Sequence, residues 1–371
     1  MENATLKRCV LDRVNELPTP TWNHLDINAI QLEVPRHVSA RGLEEAALAA
    51  SGSEVPCGMG ADATVWLEAS ATDRRAVEVA PGSKAQGPIV VDLAREDAPV
   101  QVLDVRLGAG SSASLALLAR RPADPAGEDA SDDGEGGSLR TCGWTVRATL
   151  GAGAHLDVYA LVTAPGWQVL DNFGAVLGDD ARLEVKQFYL DGEVMAGGLC
   201  CELRGDCSAV GVDSRYLGRD AQVVDIGHVV RQCGRRTECD LAYRGVLTGD
   251  SSKTLRDTID LVRGCKGSRG SENETVLLAG EGVGNRSLPV ILCGEDDVAG
   301  DHGATVGELG AAERGYLASR GLAADDIPAL VMESTFEAAF SAAHTEAACG
   351  AVLASAARVL GEGALEDLSV Y

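Results

Sequence analysis

The stretch that decides the fold is residues 107–117, LGAGSSASLAL, in which a leucine and a corner of small residues precede a strand of alternating character. The same arrangement returns at residues 150–161 (LGAGAHLDVYAL), 177–185 (LGDDARLEV) and 217–226 (LGRDAQVVDI). The recurrence is irregular, in multiples of roughly a dozen residues, which suits the rungs of a coil of strands. It favours a parallel β-helix.

The surrounding sequence supports this interpretation. Residues 75–305 consist of short alternating runs bounded by Gly, Asp and Ser, with no long helical pattern between them, which argues against a βαβ sheet. Two-residue hairpin turns are scarce, with Asp191-Gly192 as an exception, which argues against an antiparallel sandwich. A narrow coil filled by small side chains also explains an aromatic content of 4%.

The texture of the chain divides it into three regions. We predict a helical or irregular region at residues 1–74, a β-helix core at 75–307, and a C-terminal helical region at 308–371. Helical pieces are expected at residues 6–17 and 43–50 of the first region. A stretch rich in Pro, Gly and Asp at residues 122–137 predicts a disordered acidic surface loop. The fold class is therefore mainly β, with helices at both ends.

The C-terminal helices carry clear signals. Asp325 and Asp326 supply an N-terminal cap, and Pro328 stands in the first turn. Apolar residues then recur near helical spacing in this helix and in an earlier one: Ile327, Leu330, Val331, Phe336, Phe340 and Ala343, and Leu309, Ala312, Tyr316 and Leu317. Two interpretations stay open, since such faces pack on one another or provide a docking surface for a partner.

The charge of the chain excludes several classes of partner. A formal net charge of −24 would repel nucleic acid and anionic membranes. No run of apolar residues is long enough to predict a transmembrane helix. Residues 1–17 carry charges throughout and lack the apolar core of a secretory signal. We therefore expect a cytoplasmic protein that binds neither nucleic acid nor membrane.

The eleven cysteines do not indicate a metal site or a disulfide framework. Their number is odd and no export signal accompanies them, so we expect most of them to be reduced and buried as small hydrophobic residues. Cys200, Cys201 and Cys207 lie near one another, as do Cys233 and Cys239, but no C-x-x-C occurs. Structural zinc sites normally have tighter paired spacing.

Common catalytic motifs are absent from the sequence. It holds no P-loop, no H-E-x-x-H and no G-x-S-x-G, and its six histidines are scattered. The rival interpretation is a β-helical carbohydrate-active enzyme, a polysaccharide lyase or hydrolase, whose carboxylates would be Asp250, Asp257 and Asp260. The scarcity of aromatic rings to stack on sugars and the negative charge argue against it.

One histidine stands at the junction between the strand-rich region and the helices. Residues 297–307, DVAGDHGATVG, place His302 in what we expect to be a glycine-flanked turn. His302 is the side chain in this run that suits a transition metal, whereas Asp297 and Asp301 are hard oxygen ligands. A histidine in such a turn also serves simply to hydrogen-bond a backbone carbonyl, so the motif alone leaves its role open.

The sequence around this histidine resembles the SufB/SufD family of iron–sulfur cluster assembly proteins, and specifically the SufD branch. The resemblance is strong over residues 255–321 and weaker at residues 18–22 (PTPTW). The matching residues are 266–267 (KG), 270–272 (GSE), 277–278 (LL), 288–289 (LP), 296–298 (DDV), 302–307 (HGATVG) and 316–321 (YLASRG).

The resemblance implies a right-handed parallel β-helix, in which a SufB-like paralogue or a second copy pairs through the β-helix. It also implies that a SufC-like ABC-type ATPase docks on the C-terminal region, so that this chain is not itself an enzyme. For that contact we predict Tyr316, Leu317, Arg320, Ile327, Leu330 and Phe336. His302 would lie at the subunit interface as a transient ligand of iron or of a cluster, with no cofactor stably bound.

Several positions depart from the family pattern. Many SufD relatives have a cysteine two positions before the histidine, where this chain has Gly300, and Cys293 belongs to the preceding strand. The aromatic pair of the family is reduced to Gly315-Tyr316. The cysteine and the Glu-flanked histidine of SufB are absent. The resemblance therefore implies an accessory subunit or a homodimerising variant.

Overall fold

The computed structural model describes residues 8–19, 25, 27–35, 40–94, 99–120, 139–307, 310–323 and 326–361. The loop predicted at 122–137, the cap at Asp325 and the end of the segment at 18–22 lie outside the described residues. The elements are, in chain order, β1 (Arg8–Val14), β2 (Ile30–Pro35), α1 (Ala40–Ser51), α2 (Ala61–Ser70), β3 (Asp73–Val79), β4 (Ile89–Asp92), β5 (Val100–Leu107), β6 (Ser112–Arg120), β7 (Arg140–Leu150), β8 (His155–Leu177), β9 (Arg182–Leu203), β10 (Ala209–Gly218), β11 (Val223–Gln232), β12 (Glu238–Thr248), β13 (Ser252–Leu261), β14 (Arg269–Ala279), β15 (Gly284–Cys293), β16 (Ala299–Gly307), α3 (Ala311–Ser319), α4 (Asp326–Ala342) and α5 (Glu346–Leu360).

Strands β3 to β16 form a parallel β-helix of about seven turns, as predicted. One face is the ladder β3, β5, β7, the second half of β8, the second half of β9, β11, β13 and β15. The other face is β4, β6, the first halves of β8 and β9, β10, β12, β14 and β16. From β7 onward, paired positions on successive turns lie 26 to 32 residues apart.

The repeated LGAG motif marks a corner of this coil. At that corner one residue in each turn has a positive φ, and its backbone N–H donates to a carbonyl one turn further on. These residues are Gly82, Gly110, Gly153, Asp180, Cys207, Arg236 and Gly267. Glycine adopts this conformation without steric cost. The first three sequence repeats therefore stack at one corner, whereas the repeat at 217–226 belongs to the opposite corner, where Asp220 has a φ of 51°.

Alternate side chains of each strand point inward and fill the coil. The interior is built mainly of Leu, Val, Ala and Cys, and its largest member is the fully buried Trp144. Period-two alternation places every second residue on the inner face. A polar side chain at an inward position of the middle turns is therefore buried in the apolar interior. Such polar residues consequently require a structural or functional explanation.

The N-terminal prediction was partly wrong. Residues 6–17 were expected to be helical, but residues 8–14 form β1, which pairs antiparallel with β2. Leu11 and Val14 are buried there with Leu32 and Val34, so tertiary packing decides the conformation of this short apolar run. The helix expected at 43–50 is confirmed as α1.

Helices α4 and α5 cover part of the second face of the β-helix. Phe336, Ala339 and Val352 are fully buried in a cluster that includes Leu190 and Val246 of the solenoid. A polar contact also connects α5 to the β-helix, since Asp191 accepts a hydrogen bond from Arg358 of α5 at 2.8 Å. No helix among the described residues is long and apolar enough to cross a membrane.

Candidate functional site

His302 lies in strand β16 and not in the turn that its flanking glycines suggested. It pairs with Glu272 of β14 in the parallel register. The inward row at this position runs Val185, Val212, Leu241, Glu272 and His302, so apolar side chains give way to polar ones toward the end of the coil. His302 is 38% exposed because it belongs to the terminal turn.

The imidazole of His302 is held by a buried carboxylate. Its Nδ1 atom is hydrogen-bonded to Oε2 of Glu272, whose side chain is 2% exposed. Burial raises the pKa of Glu272, and the hydrogen bond and charge of His302 oppose that shift. The hydrogen bond thus connects the buried carboxylate of Glu272 to the accessible imidazole of His302 at the last turn of the β-helix.

A second buried pair lies directly beside Glu272. Lys253 and Glu274 form an ion pair in which both side chains are shielded from solvent. Tyr216 donates to Glu274 at 3.0 Å, and Lys253 donates to Ser287 at 2.9 Å. Burial lowers the pKa of Lys253, while Glu274 acts in the opposite direction. Charges in such an interior persist only when they are paired and hydrogen-bonded.

A further polar pair completes the cluster on the opposite face of the coil. His228 and Asp257 are register neighbours on β11 and β13, and Nδ1 of His228 is 2.9 Å from the hydroxyl of Tyr243. Burial lowers the pKa of His228 to about 3, so its ring is neutral. Burial, with the nearby charges of Glu272 and Glu274, raises the pKa of Asp257. Within the described residues, Nε2 of His228 and Oδ1 of Asp257 have no hydrogen-bond partner.

These groups do not form a complete metal site. Among the described residues, no group of three or more His, Cys, Asp and Glu side chains is disposed to hold a metal ion. Cys293 is exposed on β15, where its thiol donates to the carbonyl of Glu295 at 3.2 Å. Gly300 faces Ile291, and a Cβ added there would lie 3.2 Å from it. Any metal held by His302 therefore needs ligands from outside this constellation.

The predicted burial of the cysteines is only partly correct. All eleven are free, and those classed as buried are Cys142, Cys200, Cys201, Cys239 and Cys265. Burial raises the pKa of Cys57 and of Cys200 to about 12, so these thiols remain protonated at neutral pH. They are therefore poor candidates for thiolate ligands in this conformation.

The residues predicted for partner contact divide into two groups. Ile327 and Phe336 are buried, and Phe336 packs against the solenoid, so these two stabilise the chain's own fold in this structure. Tyr316 and Leu330 are 59% and 42% exposed. Arg320 is also exposed, with its guanidinium 5.4 Å from the ring of Tyr316, and Leu317 is half-buried. The accessible surface on α3 and α4 thus contains fewer residues than the six that were predicted for partner contact.

The carboxylates considered for sugar cleavage do not share a groove. Asp257 is buried inside the coil at 1% exposure. Asp260 lies on the outer side of the same strand, where it accepts from Arg231 at 3.1 Å, and Asp250 is in the turn before β13. Because a glycosidase needs its acid and base on the two sides of one bond, this arrangement disfavours the enzyme alternative.

Asp171 is another buried carboxylate of the β-helix, and its hydrogen bonds come from other buried side chains. Asp171 points into the middle of the coil and accepts hydrogen bonds from Trp144 at 2.7 Å, Tyr189 at 2.8 Å and Gln187 at 3.2 Å. Gly197 makes room for the Tyr189 hydroxyl. Burial raises the pKa of Asp171 from 3.8 to about 6, although its three donors oppose the shift.

Replacing Asp171 by Asn should change the pH dependence of stability. The folded pKa is raised, so the contribution of Asp171 is fully present below its unfolded pKa of 3.8 and is lost as the pH rises through about 6. Between pH 4 and 7 the variant should gain about 2 kcal/mol relative to the original chain. Chemical denaturation across this range measures the difference. Asn at the exposed Asp157 is the control, and a pH-independent difference for Asp171→Asn would contradict the assignment.

Comparison with known proteins identifies the family to which this β-helical chain belongs. Residues 129–335 match the SufBD core domain of the SUF system of FeS cluster assembly, which is more than half of the chain. The chain therefore belongs to the SufB/SufD family of iron–sulfur cluster assembly proteins. The matched region includes β7 to β16, and hence every member of the buried cluster and His302.

Curated relatives agree with this family at low identity. The chain is similar to the iron–sulfur cluster assembly protein SufD of Bacillus subtilis, at 24% identity over 43% of this chain and 36% of that protein. It is also similar to SufBD family proteins of Mycobacterium bovis (29% identity over 49% of this chain, 20% of the relative) and Mycobacterium leprae (29% over 32%, 14% of the relative). The matches thus span well under half the length of these relatives.

Proposed function

We propose that the chain is a SufD-like, non-catalytic subunit of a cytoplasmic iron–sulfur cluster assembly complex. It pairs with a SufB-like subunit, or with a second copy, through the open end of the β-helix, and it docks a SufC-like ATPase through its C-terminal helices. The observation that carries this proposal is the place of His302, accessible at the terminal turn and fixed by a buried carboxylate.

The open end of the coil supports the pairing. In the described part of the chain, β15 pairs only with β13 and β16 only with β14, so each has a free edge. Ile291 and Val306 on these strands are 37% and 44% exposed. Unpaired strand edges with exposed apolar side chains favour the addition of strands from another chain. A partner there would also supply the further ligands that a metal on His302 requires.

The chemistry of His302 supports a transient role in holding the cargo of the complex. Imidazole nitrogen replaces thiolate as a ligand of iron in some clusters. A single ligand from this chain, completed by a partner, would hold iron or a nascent cluster only while the subunits are together. No P-loop occurs in the sequence, so ATP hydrolysis would belong to the docked partner.

The proposal is tested by co-purification of the chain with a SufB-like subunit and a SufC-like ATPase under anaerobic conditions. We expect both partners to be retained, and the replacement His302→Ala to keep them while reducing bound iron and sulfide by about tenfold or more. His155→Ala, at an exposed histidine of the same face, is the matched control. Failure to retain either partner would contradict the assembly role, and an unchanged cluster content would remove the ligand role.

A further inference from the structure

We infer that Glu272 is a positioning residue that holds His302 in the Nδ1–H tautomer, which leaves the lone pair on Nε2 for a metal. This inference deepens the proposed function and rests on it for its biological meaning. It concerns the side chains of Glu272 and His302, and the tautomer of His302 can be measured without any partner.

The first step is the geometry of the pair. Nδ1 of His302 is bonded to Oε2 of Glu272, and the two residues are opposite each other in the register of β14 and β16. A carboxylate that accepts from one ring nitrogen places the proton on that nitrogen, and the other nitrogen is then the acceptor. Metal-bound histidines commonly have this arrangement, because the second contact fixes the orientation of the ring and raises its basicity.

Burying a carboxylate at position 272 carries a free-energy cost, because the row of inward side chains to which it belongs is otherwise mostly apolar. The three earlier members of its inward row are Val185, Val212 and Leu241, so the fold itself requires only an apolar side chain at this position. A carboxylate buried in such a row is costly unless it is hydrogen-bonded or paired. Among the described residues, the Glu272 carboxylate is hydrogen-bonded to His302. The polar residue is therefore explained by the histidine and not by the packing of the coil.

The burial of the Glu272 carboxylate also restricts its own side chain. Glu272 is 2% exposed and stands on β14 two residues before Glu274, whose side chain forms the buried ion pair with Lys253. Tyr216 and Ser287 fix that pair in turn. Because the Glu272 carboxylate is buried and bonded to Nδ1, it restricts rotation of the His302 ring, whereas an isolated surface histidine would rotate freely.

The test reads the tautomer directly. In the full chain labelled with nitrogen-15 in its histidine rings, two-dimensional NMR distinguishes Nδ1–H from Nε2–H, and His302→Ala assigns the signal. We expect the Nδ1–H form in the original chain. Glu272→Leu removes the acceptor but continues the apolar row, and it should shift His302 to mainly Nε2–H. Glu272→Gln retains an amide acceptor and should give an intermediate population, which covers the case in which the leucine variant folds poorly.

The outcomes separate this inference from the proposed function. Glu238→Leu, at an exposed glutamate of the neighbouring β12, should leave the tautomer of His302 unchanged. An Nε2–H form in the original chain, or an unchanged tautomer in both Glu272 variants, would overturn the positioning role. In the purified complex Glu272→Leu should lower cluster content by about 10- to 100-fold. If the tautomer changes but neither Glu272→Leu nor His302→Ala affects cluster content, the positioning stands and the ligand role fails.

Discussion

Replacing Lys253 by methionine should lower the free energy of unfolding by about 3–5 kcal/mol. Lys253 is fully buried and pairs with Glu274, which is 1% exposed. Methionine fills a similar volume, so the main consequence is a carboxylate left without its counter-charge inside the coil. The hydrogen bond from Tyr216 remains, but a hydroxyl replaces only part of what the ammonium provides. Urea denaturation followed by circular dichroism measures the loss.

Two further variants show whether charge or packing is responsible. The double replacement Lys253→Met with Glu274→Leu removes both charges, and it should recover most of the stability because apolar pairs of similar volume substitute well for buried ion pairs. Lys186→Met, on the outer side of β9, should change stability by less than about 0.5 kcal/mol. If the double variant were as unstable as the single one, the uncompensated charge could not be the cause.

The corners of the β-helix were predictable from the sequence because their chemistry is local. A left-handed residue in a tight corner is best supplied by glycine, so LGAG repeats at residues 107–110 and 150–153 mark the same point on successive turns. Asp180 and Cys207 occupy that point in later turns. The pattern therefore fades along the chain although the backbone conformation does not change.

The candidate site was only partly predictable because its meaning depends on turns that are far apart in sequence. Gly300 and Gly303 suggested a turn around His302, but both belong to β16, and Gly300 leaves room for Ile291 across the interior. Glu272 was recognised as part of the family motif without a role. In β14, period-two alternation places Glu272 and Glu274 on the inner face, yet polar residues in a strand are normally assigned to solvent.

Burial separates the predicted helical contact surface into two functions that sequence periodicity cannot distinguish. An amphipathic stripe indicates which side of a helix is apolar, and it does not say whether the chain itself or a partner covers that side. In α4 the stripe divides, since Phe336 faces the solenoid and Leu330 remains accessible. The docking surface that we propose thus depends on an internal anchor a short distance along the same helix.

Replacing Phe336 by alanine should remove this anchor at a cost of about 3–5 kcal/mol. Phe336 is fully buried in the cluster between α4, α5 and the β-helix, so its loss leaves a cavity where α4 packs on the second face. We expect the damage to be local, because the parallel ladders do not depend on this cluster for their own hydrogen bonds. Amide hydrogen exchange should accelerate across α4 and α5, while β11 and β13 keep their protection.

The control for this variant lies on the same helix. Leu330→Ala, at a side chain that is 42% exposed, should leave hydrogen exchange in α4 and α5 nearly unchanged. If the docking proposal is correct, both variants should weaken binding of the ATPase partner, but for different reasons: Phe336→Ala because the surface loses its shape, and Leu330→Ala because a contact is missing. Acceleration of exchange throughout the β-helix in Phe336→Ala would contradict a local anchor. It would mean that the C-terminal helices and the β-helix unfold as one cooperative unit.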